Sequence, residues 1–491
     1  MAGIGFELKK IFAQKGVLNS VKAYGYAAVI CTGPMLFGIL MLLGITGLCM
    51  LSDTDISIRE TLISMITHTL LASTLISSVF SSVVTRFIAD KLFEDNKGAV
   101  LSVFWGSTVI MMAIGDVLYG AFLLISGATF LQWILCFTLF GELIIVWNAM
   151  NFLSAIKDYK GIFLSFLTAV LTSVLVGALM LALGLPVLES LLFAVGVGYG
   201  VMLVWDVVLL HRYFPNTKES AFAFLRWMDD YLPLALSGLF MAVGMFSHLL
   251  IMWYSDIGVQ TSGLFYSAPW YDVPALLAFL TSVITTINFV VSVEVNFYPK
   301  YRTHYSLYND RGTIDNIKQA EREMIGTLRT ELFYSALKQL LFTVLVISLG
   351  GYLLDLLPLG FNEIMRGYFR TLCVAYGICA VGNMMMLILL YFTDYKGAVA
   401  VTAAFAASTV AFTLISLLFP NVYYGFGFLI AAVIFSIAGA LRMDYFTKRL
   451  PYYILSVQPL VKEEKVGTFE KVGNFLKRKL EEDKKENENE E

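Results

Sequence analysis

The sequence predicts an all-α integral membrane protein with twelve transmembrane helices arranged as two six-helix lobes. Three observations carry this. Of its 491 residues, 58% are hydrophobic and 14% are charged, against roughly 25% charged in a typical soluble domain. Apolar stretches of about 20 residues, enough to cross a hydrocarbon core of about 30 Å, recur down the whole chain. The few basic residues are sorted by side, and the loops that carry them repeat. The composition excludes a water-soluble globular enzyme. The apolar runs are continuous rather than alternating, which excludes an outer-membrane barrel.

The expected helices are Tyr24–Leu51, Thr61–Ile88, Ala99–Ile125, Thr129–Ile156, Ile162–Leu183, Pro186–His211, Tyr231–Tyr254, Val273–Tyr298, Tyr334–Leu357, Gly367–Phe392, Ala398–Phe419 and Val422–Phe446. The first apolar run is too long for the core of a cleavable signal and lacks a small-residue cleavage site. Residues 1–23 place Ile4, Leu8, Ile11 and Phe12 on one face with lysines opposite, as in a helix lying on a membrane surface. With the N-terminus in the cytoplasm, all of the 34 basic residues except Arg59, Arg366 and Arg370 fall on the cytoplasmic side. A missed or extra helix would scramble that pattern.

The lobes follow from two repeated loops. Asp158-Tyr159-Lys160-Gly161 and Asp394-Tyr395-Lys396-Gly397 each join a fourth to a fifth span, and Asp95-Asn96-Lys97-Gly98 answers Asn309-Asp310-Arg311-Gly312 after each second span. The expected organisation is an N-lobe over 24–212, a linker over 213–230, and a C-lobe over 231–446 with an amphipathic cytoplasmic loop at 299–333. A cytoplasmic tail follows at 447–491 and ends in a disordered Glu/Asn/Lys run. Two parallel six-helix repeats in lipid imply a cleft suited to alternating access.

Met1-Ala2-Gly3-Ile4-Gly5-Phe6-Glu7-Leu8-Lys9-Lys10, then Ala23-Tyr24-Gly25-Tyr26-Ala27 and Thr32-Gly33-Pro34, resemble the PelG family, the inner-membrane transporters of the Pel exopolysaccharide system. That family is similar to the multidrug/oligosaccharidyl-lipid/polysaccharide (MOP) flippases, with MATE-like lobes around a central cavity. The resemblance implies export of Pel, a polymer rich in N-acetylgalactosamine. It also implies PelD- and PelE-like membrane partners and a PelF-like cytoplasmic glycosyltransferase, with cyclic-di-GMP sensed by the PelD-like protein. It implies no cofactor and no catalytic motif.

Ionisable groups inside spans are costly and are functional candidates by default. Glu142 and Asp116 sit near mid-membrane. Asp206 and Glu294 lie nearer the cytoplasmic ends of their spans, and Arg370 lies near an outer end beside Arg366. Asn148, Asn151, Asn288 and Asn383 offer donors and acceptors that suit a neutral glycan. Glu142, Asp116 and the amides either line the substrate path or make interhelical hydrogen bonds; Asp206 and Glu294 either line the path or reach the cytoplasmic interface; Arg370 either snorkels to the interface or meets sugar hydroxyls at the exit. Tyr266, Trp270 and Tyr271, in the aromatic run Phe265–Tyr271, are exit contacts for sugars or members of an interfacial belt. Thr74, Ser78, Ser81 and Thr85 share a face of the second span, and His68 and His248 read as packing residues. Pro34 is a hinge candidate. The five cysteines all lie in apolar runs, so neither a disulfide framework nor a metal site is expected. No HxxxxD or interfacial metal-binding carboxylate pair supports a membrane glycosyltransferase, and no nucleic-acid partner is expected. A carboxylate that takes up a proton inside the membrane would instead make the chain an ion-coupled flippase of a lipid-linked or small substrate.

Overall fold

The computed structural model describes residues 38–156, 158–215, 220–309, 312–356, 361–456 and 466–490. The expected N-terminal surface helix and Pro34 lie outside the described residues. Eleven helices among the described residues are long and apolar enough to cross a membrane, and Gly38–Leu51 adds a shorter apolar one. The described residues are all-α apart from one two-stranded hairpin.

The first compact unit comprises residues 38–243, 259–267 and 466–490. Its helices are α1 (Gly38–Leu51), α2 (Ile56–Phe93), α3 (Gly98–Ile125), α4 (Phe130–Ile156), α5 (Tyr159–Ala182), α6 (Val187–Tyr213) and the short α7 (Leu225–Asp230), with the first part of α8 (Leu232–Trp253). The hairpin pairs β1 (Val259–Ser262) antiparallel to β2 (Phe265–Ser267). It is stapled to α2 and to the end of α3. Ser64 donates to the Tyr266 carbonyl at 2.9 Å, and the Leu264 amide donates to the Ser126 carbonyl at 2.8 Å. Gly263, at φ +54°, takes a left-handed backbone where a Cβ would strike that same Ser126 carbonyl.

The second unit comprises residues 244–258 and 268–456. It holds the rest of α8, then α9 (Pro269–Phe279), α10 (Val283–Ser292), α11 (Tyr298–Asn309), α12 (Ile314–Leu356), α13 (Glu363–Tyr391), α14 (Tyr395–Ser416), α15 (Tyr424–Thr447) and α16 (Leu450–Ser456). The expected eighth span is not one regular helix. It starts four residues early, at Pro269, where a missing amide costs nothing in the first turn. Pro274 lies inside α9, a 3-10 turn follows at Leu280–Ser282, and a π-helical turn occupies Val293–Phe297. The expected loop at 299–333 is also revised. Thr313 caps a 43-residue helix by accepting the Asn316 amide, and α12 runs unbroken into the ninth span. With no proline in Ile314–Leu356, the apolar periodicity read as an amphipathic loop simply continues, and Met324, Leu328 and Leu332 are buried.

The two Asp-Tyr-Lys-Gly loops have the same capping geometry in both units. Asp158 (φ −82°, ψ 65°) and Asp394 (φ −81°, ψ 66°) are N-caps that accept the amides of Gly161 at 3.0 Å and Gly397 at 3.1 Å. In each unit the helix so capped packs along the next one, α5 on α6 and α14 on α15.

The tail does not end as expected. Helix α17 (Thr468–Glu490) continues through the Glu/Asn/Lys run that was expected to be disordered, in keeping with the helix propensity of Glu and Lys. Its first turn is capped from far away in sequence. Asp229 of α7 accepts the amides of Phe469 at 3.1 Å and Glu470 at 2.8 Å. Trp227, two residues earlier, donates to Asp90 at 2.9 Å, and Asp90 also pairs with Arg86 at 3.1 Å. Replacing Asp229 with Ala removes two acceptor contacts at a helix start, which costs about 1 kcal/mol. Hydrogen exchange of the amides over 468–476 should accelerate in Asp229→Ala while those of α2 stay protected; unchanged exchange would show that the cap does not hold α17.

Candidate functional site

Three carboxylates lie within the spans of the first unit, and each has at least one oxygen without a hydrogen bond. Asp116, on α3, is half-buried with Oδ1 unpaired. Asp206, on α6, is fully buried, and neither of its oxygens makes a well-formed hydrogen bond; the Ser165 hydroxyl beside it donates to the Ile162 carbonyl at 2.9 Å. Glu142, on α4, is half-buried and faces a notch on α6. A Cβ at Gly200 would stand 3.2 Å from its Oε1, and one at Gly196 would stand 3.8 Å from its Oε2. The missing side chain at Gly200 makes room for the carboxylate, whereas Gly196 stands at ordinary contact distance. Gly200 also lines an apolar groove of about 710 Å³ that runs along α6 past Trp205 to Arg212. A buried unpaired carboxylate is costly, so each of the three is a place where a proton or a donor group from a ligand is favoured.

The amides divide into structural and open positions. Asn148 is fully buried and donates to the Phe104 carbonyl, Ser107 and Thr108 on α3, so it holds two helices together. Asn151 donates to Ser81 at 3.1 Å. One turn along, Trp147 donates to Ser73 at 3.1 Å, a pair the sequence reading missed. Trp147 and Asn151 are four apart and Ser73 and Ser81 eight apart, so each pair shares a helix face and the matching polar seam was legible as spacing. The hydroxyls of Thr74, Ser78, Ser81 and Thr85 all donate to carbonyls within their own helix. In the second unit Asn288 accepts from Lys338 at 3.3 Å, and Asn383 is half-buried. The backbone of Glu294 lies in the π-helical turn; its side chain lies outside the described residues. Arg370 is exposed.

The aromatic run at the hairpin separates into distinct environments. Tyr266 is half-buried in β2, and Trp270 is 48% exposed at the start of α9. Tyr271 is fully buried, and its hydroxyl meets His248 Nδ1 at 2.9 Å, so it has no ring face to offer a sugar. The Tyr376 hydroxyl lies 3.2 Å from the other ring nitrogen of His248, and Phe428 stacks on the imidazole at 4.0 Å between centroids. His248 therefore bridges two tyrosines as a satisfied core residue. His68 likewise contacts the Ser64 carbonyl at 2.8 Å. Asp272 accepts from Trp253 and from the Ala268 amide, which ties α9 to α8.

The second unit also carries a buried ion pair that sequence reading passed over. Arg442, on α15, forms a bidentate pair with Asp394 at 2.6 and 2.7 Å, with the carboxylate 5% exposed. In the first unit the Tyr213 hydroxyl donates to Asp158 at 3.2 Å, and beside Gly161, where the second unit has Arg442, stands Leu209. Four cysteines, Cys49, Cys136, Cys373 and Cys379, are buried and free, and Cys31 lies outside the described residues. Among the described residues no cluster of three His, Cys, Asp or Glu is placed to hold a metal ion.

Comparison with known proteins places this geometry. The fold is similar to solved MATE transporters. A variant of the Vibrio cholerae MATE transporter VcmN superposes with a TM-score of 0.56 at 11% identity, covering 87% of this chain and 99% of that one. An inward-facing multidrug resistance MATE transporter of the MOP superfamily gives 0.52 at 15% identity, covering 86% and 99%. An outward-facing one gives 0.53 at 15%, covering 86% and 96%. At such identities the likeness is one of fold. A search of curated proteins finds no significant match. The family model described as PelG, exopolysaccharide exporter (EPS-E), matches residues 1–455, and with it the chain belongs to the PelG exopolysaccharide exporter family of multi-pass membrane transporters.

Proposed function

We propose that this membrane exporter carries the Pel polymer, rich in N-acetylgalactosamine, across the bacterial cytoplasmic membrane, with both termini and the basic loops in the cytoplasm. The carrying observation is the family match over residues 1–455, supported by the MATE-like fold. The polymer leaves a PelF-like glycosyltransferase, and PelD- and PelE-like membrane proteins hold the two together. In a strain lacking this chain, surface polymer should disappear while glycosyltransferase activity persists in extracts. Polymer still reaching the surface would refute the reading.

The three incompletely bonded carboxylates favour a second reading, an ion-coupled flippase or exporter of a lipid-linked oligosaccharide or small substrate. Glu142→Gln keeps the shape of the side chain and removes its proton exchange. Under the second reading, transport by the purified protein falls at least about tenfold with that substitution and responds to a proton gradient. Under the first, polymer output follows synthesis and is insensitive to both.

A further inference from the structure

Helix α11 follows the membrane-crossing segment Pro269–Phe289, and the orientation proposed above puts it on the cytoplasmic side. Four of its twelve residues are tyrosines: Tyr298, Tyr301, Tyr305 and Tyr308. Their spacing of three, four and three puts all four on one face, over a rise of about 15 Å. All four are half-buried. The rings of Tyr301 and Tyr305 lie 4.3 Å apart, and Tyr391 of α13 stands edge-on to Tyr301 at 5.0 Å.

An interfacial aromatic belt does not explain this arrangement. Belt residues face lipid singly, whereas Tyr301 packs on Tyr305, Tyr298 and Tyr301 both stand edge-on to Tyr391, and Phe297 and Phe392 flank Tyr301 at 5.9 Å. The rest of α11 is aqueous in character, with Lys300, Arg302 and Thr303 exposed. His304, between the rings of Tyr305 and Tyr308, is fully buried, and neither ring nitrogen makes a well-formed hydrogen bond. Burial pushes its imidazole below the ordinary value, so it adds no positive charge at neutral pH. Glu321 of α12 stands close enough to Tyr308 to act on its hydroxyl electrostatically. Apolar ring faces with phenol and carboxylate groups at their edges suit pyranose sugars, which pair an apolar C–H face with a rim of donors.

We propose that the tyrosine ladder of α11, completed by Tyr391, is a landing site for successive sugar rings of an N-acetylated hexosamine polymer before translocation. This rests on the exopolysaccharide reading and names where the substrate of that reading first binds. Stacking on the ladder holds the chain extended, and its sequence-tolerant ring contacts let it slide.

The test uses the full-length protein in lipid nanodiscs, with N-acetylgalactosamine oligosaccharides as the probe and saturation-transfer NMR with calorimetry as the readout. Tyr301→Ala and Tyr305→Ala should each weaken binding by about tenfold, and Tyr301→Phe should retain most of it. Tyr308→Ala, at the last turn of the helix, gives a variant that folds even if the inner positions do not. Wild-type protein that binds no oligosaccharide, or alanine variants that bind as wild type does, would overturn the proposal. Variants that keep oligosaccharide binding but lose a co-purifying cytoplasmic protein would overturn it as well, in favour of a protein dock. The exporter reading is judged separately: if deletion of the chain abolishes surface polymer while the ladder variants bind and export normally, only the ladder assignment fails.

Discussion

Arg442→Met should destabilise the protein by about 3 kcal/mol, read as a lower midpoint of thermal unfolding in detergent or nanodiscs. The substitution leaves Asp394 5% exposed and stripped of its bidentate partner, with only the Gly397 amide to bond. A buried carboxylate in that state must either take up a proton or draw in water. The double variant Arg442→Met/Asp394→Asn removes both charges and keeps a capping oxygen, so it should recover much of the loss. The same change in the first unit is mild. Asp158→Asn keeps the cap and loses no ion pair, for a cost below about 1 kcal/mol. A loss for Arg442→Met no larger than that for Asp158→Asn would show that the ion pair contributes nothing beyond the cap.

Gly198→Leu should have an effect of similar size by a different route. A Cβ at Gly198 would fall onto the Ala169 carbonyl and the Ser173 hydroxyl of α5. A backbone carbonyl in a helix cannot step aside, so α5 and α6 must separate, at about 3 kcal/mol and with loss of close packing along the pair. Two residues earlier on the same helix, Gly196→Ala meets only Glu142 Oε2 at an ordinary 3.8 Å. That variant should be as stable as the parent, since alanine favours a helix over glycine by about 1 kcal/mol. If both variants unfold at the parent's temperature, the close approach at Gly198 is not a packing constraint.

The fold was legible because bilayer physics leaves few choices. Apolar length marks a span, and the Asp-Tyr-Lys-Gly motif marks a capped helix start in both halves, as Asp158 and Asp394 show. What escaped was whatever depends on partners distant in sequence. Nothing near Asp229 says that it caps a helix 240 residues later, and nothing near Phe469 asks for a cap from outside. The eighth span read as regular because hydropathy does not register a 3-10 or π turn; only Pro274 hinted at it. Among candidate residues, depth in the membrane set Glu142 and Asp116 apart from Asp206, which lies nearer a span end, yet all three keep an oxygen without a well-formed hydrogen bond. Residue type alone could not separate Asn148, which holds two helices together, from an amide open to a ligand, because the answer lies in the facing helix. The tyrosine ladder was visible as spacing, but beyond Tyr298 it lay in a stretch read as a loop, where helical periodicity was not applied to aromatics.

The π-helical turn at Val293–Phe297 directly precedes Tyr298. Such a turn holds one more residue than the α-helix around it, and each residue advances the helix by about 100°. It works as a phase dial. A chain shortened by one residue within 293–297 would relax to plain α-helix and swing every side chain downstream by about 100°, carrying the tyrosine face of α11 away from Tyr391 while leaving its sequence intact. The direction in which that face looks is therefore encoded by a single surplus residue, and an insertion or deletion there would re-aim the face without altering any of the tyrosines.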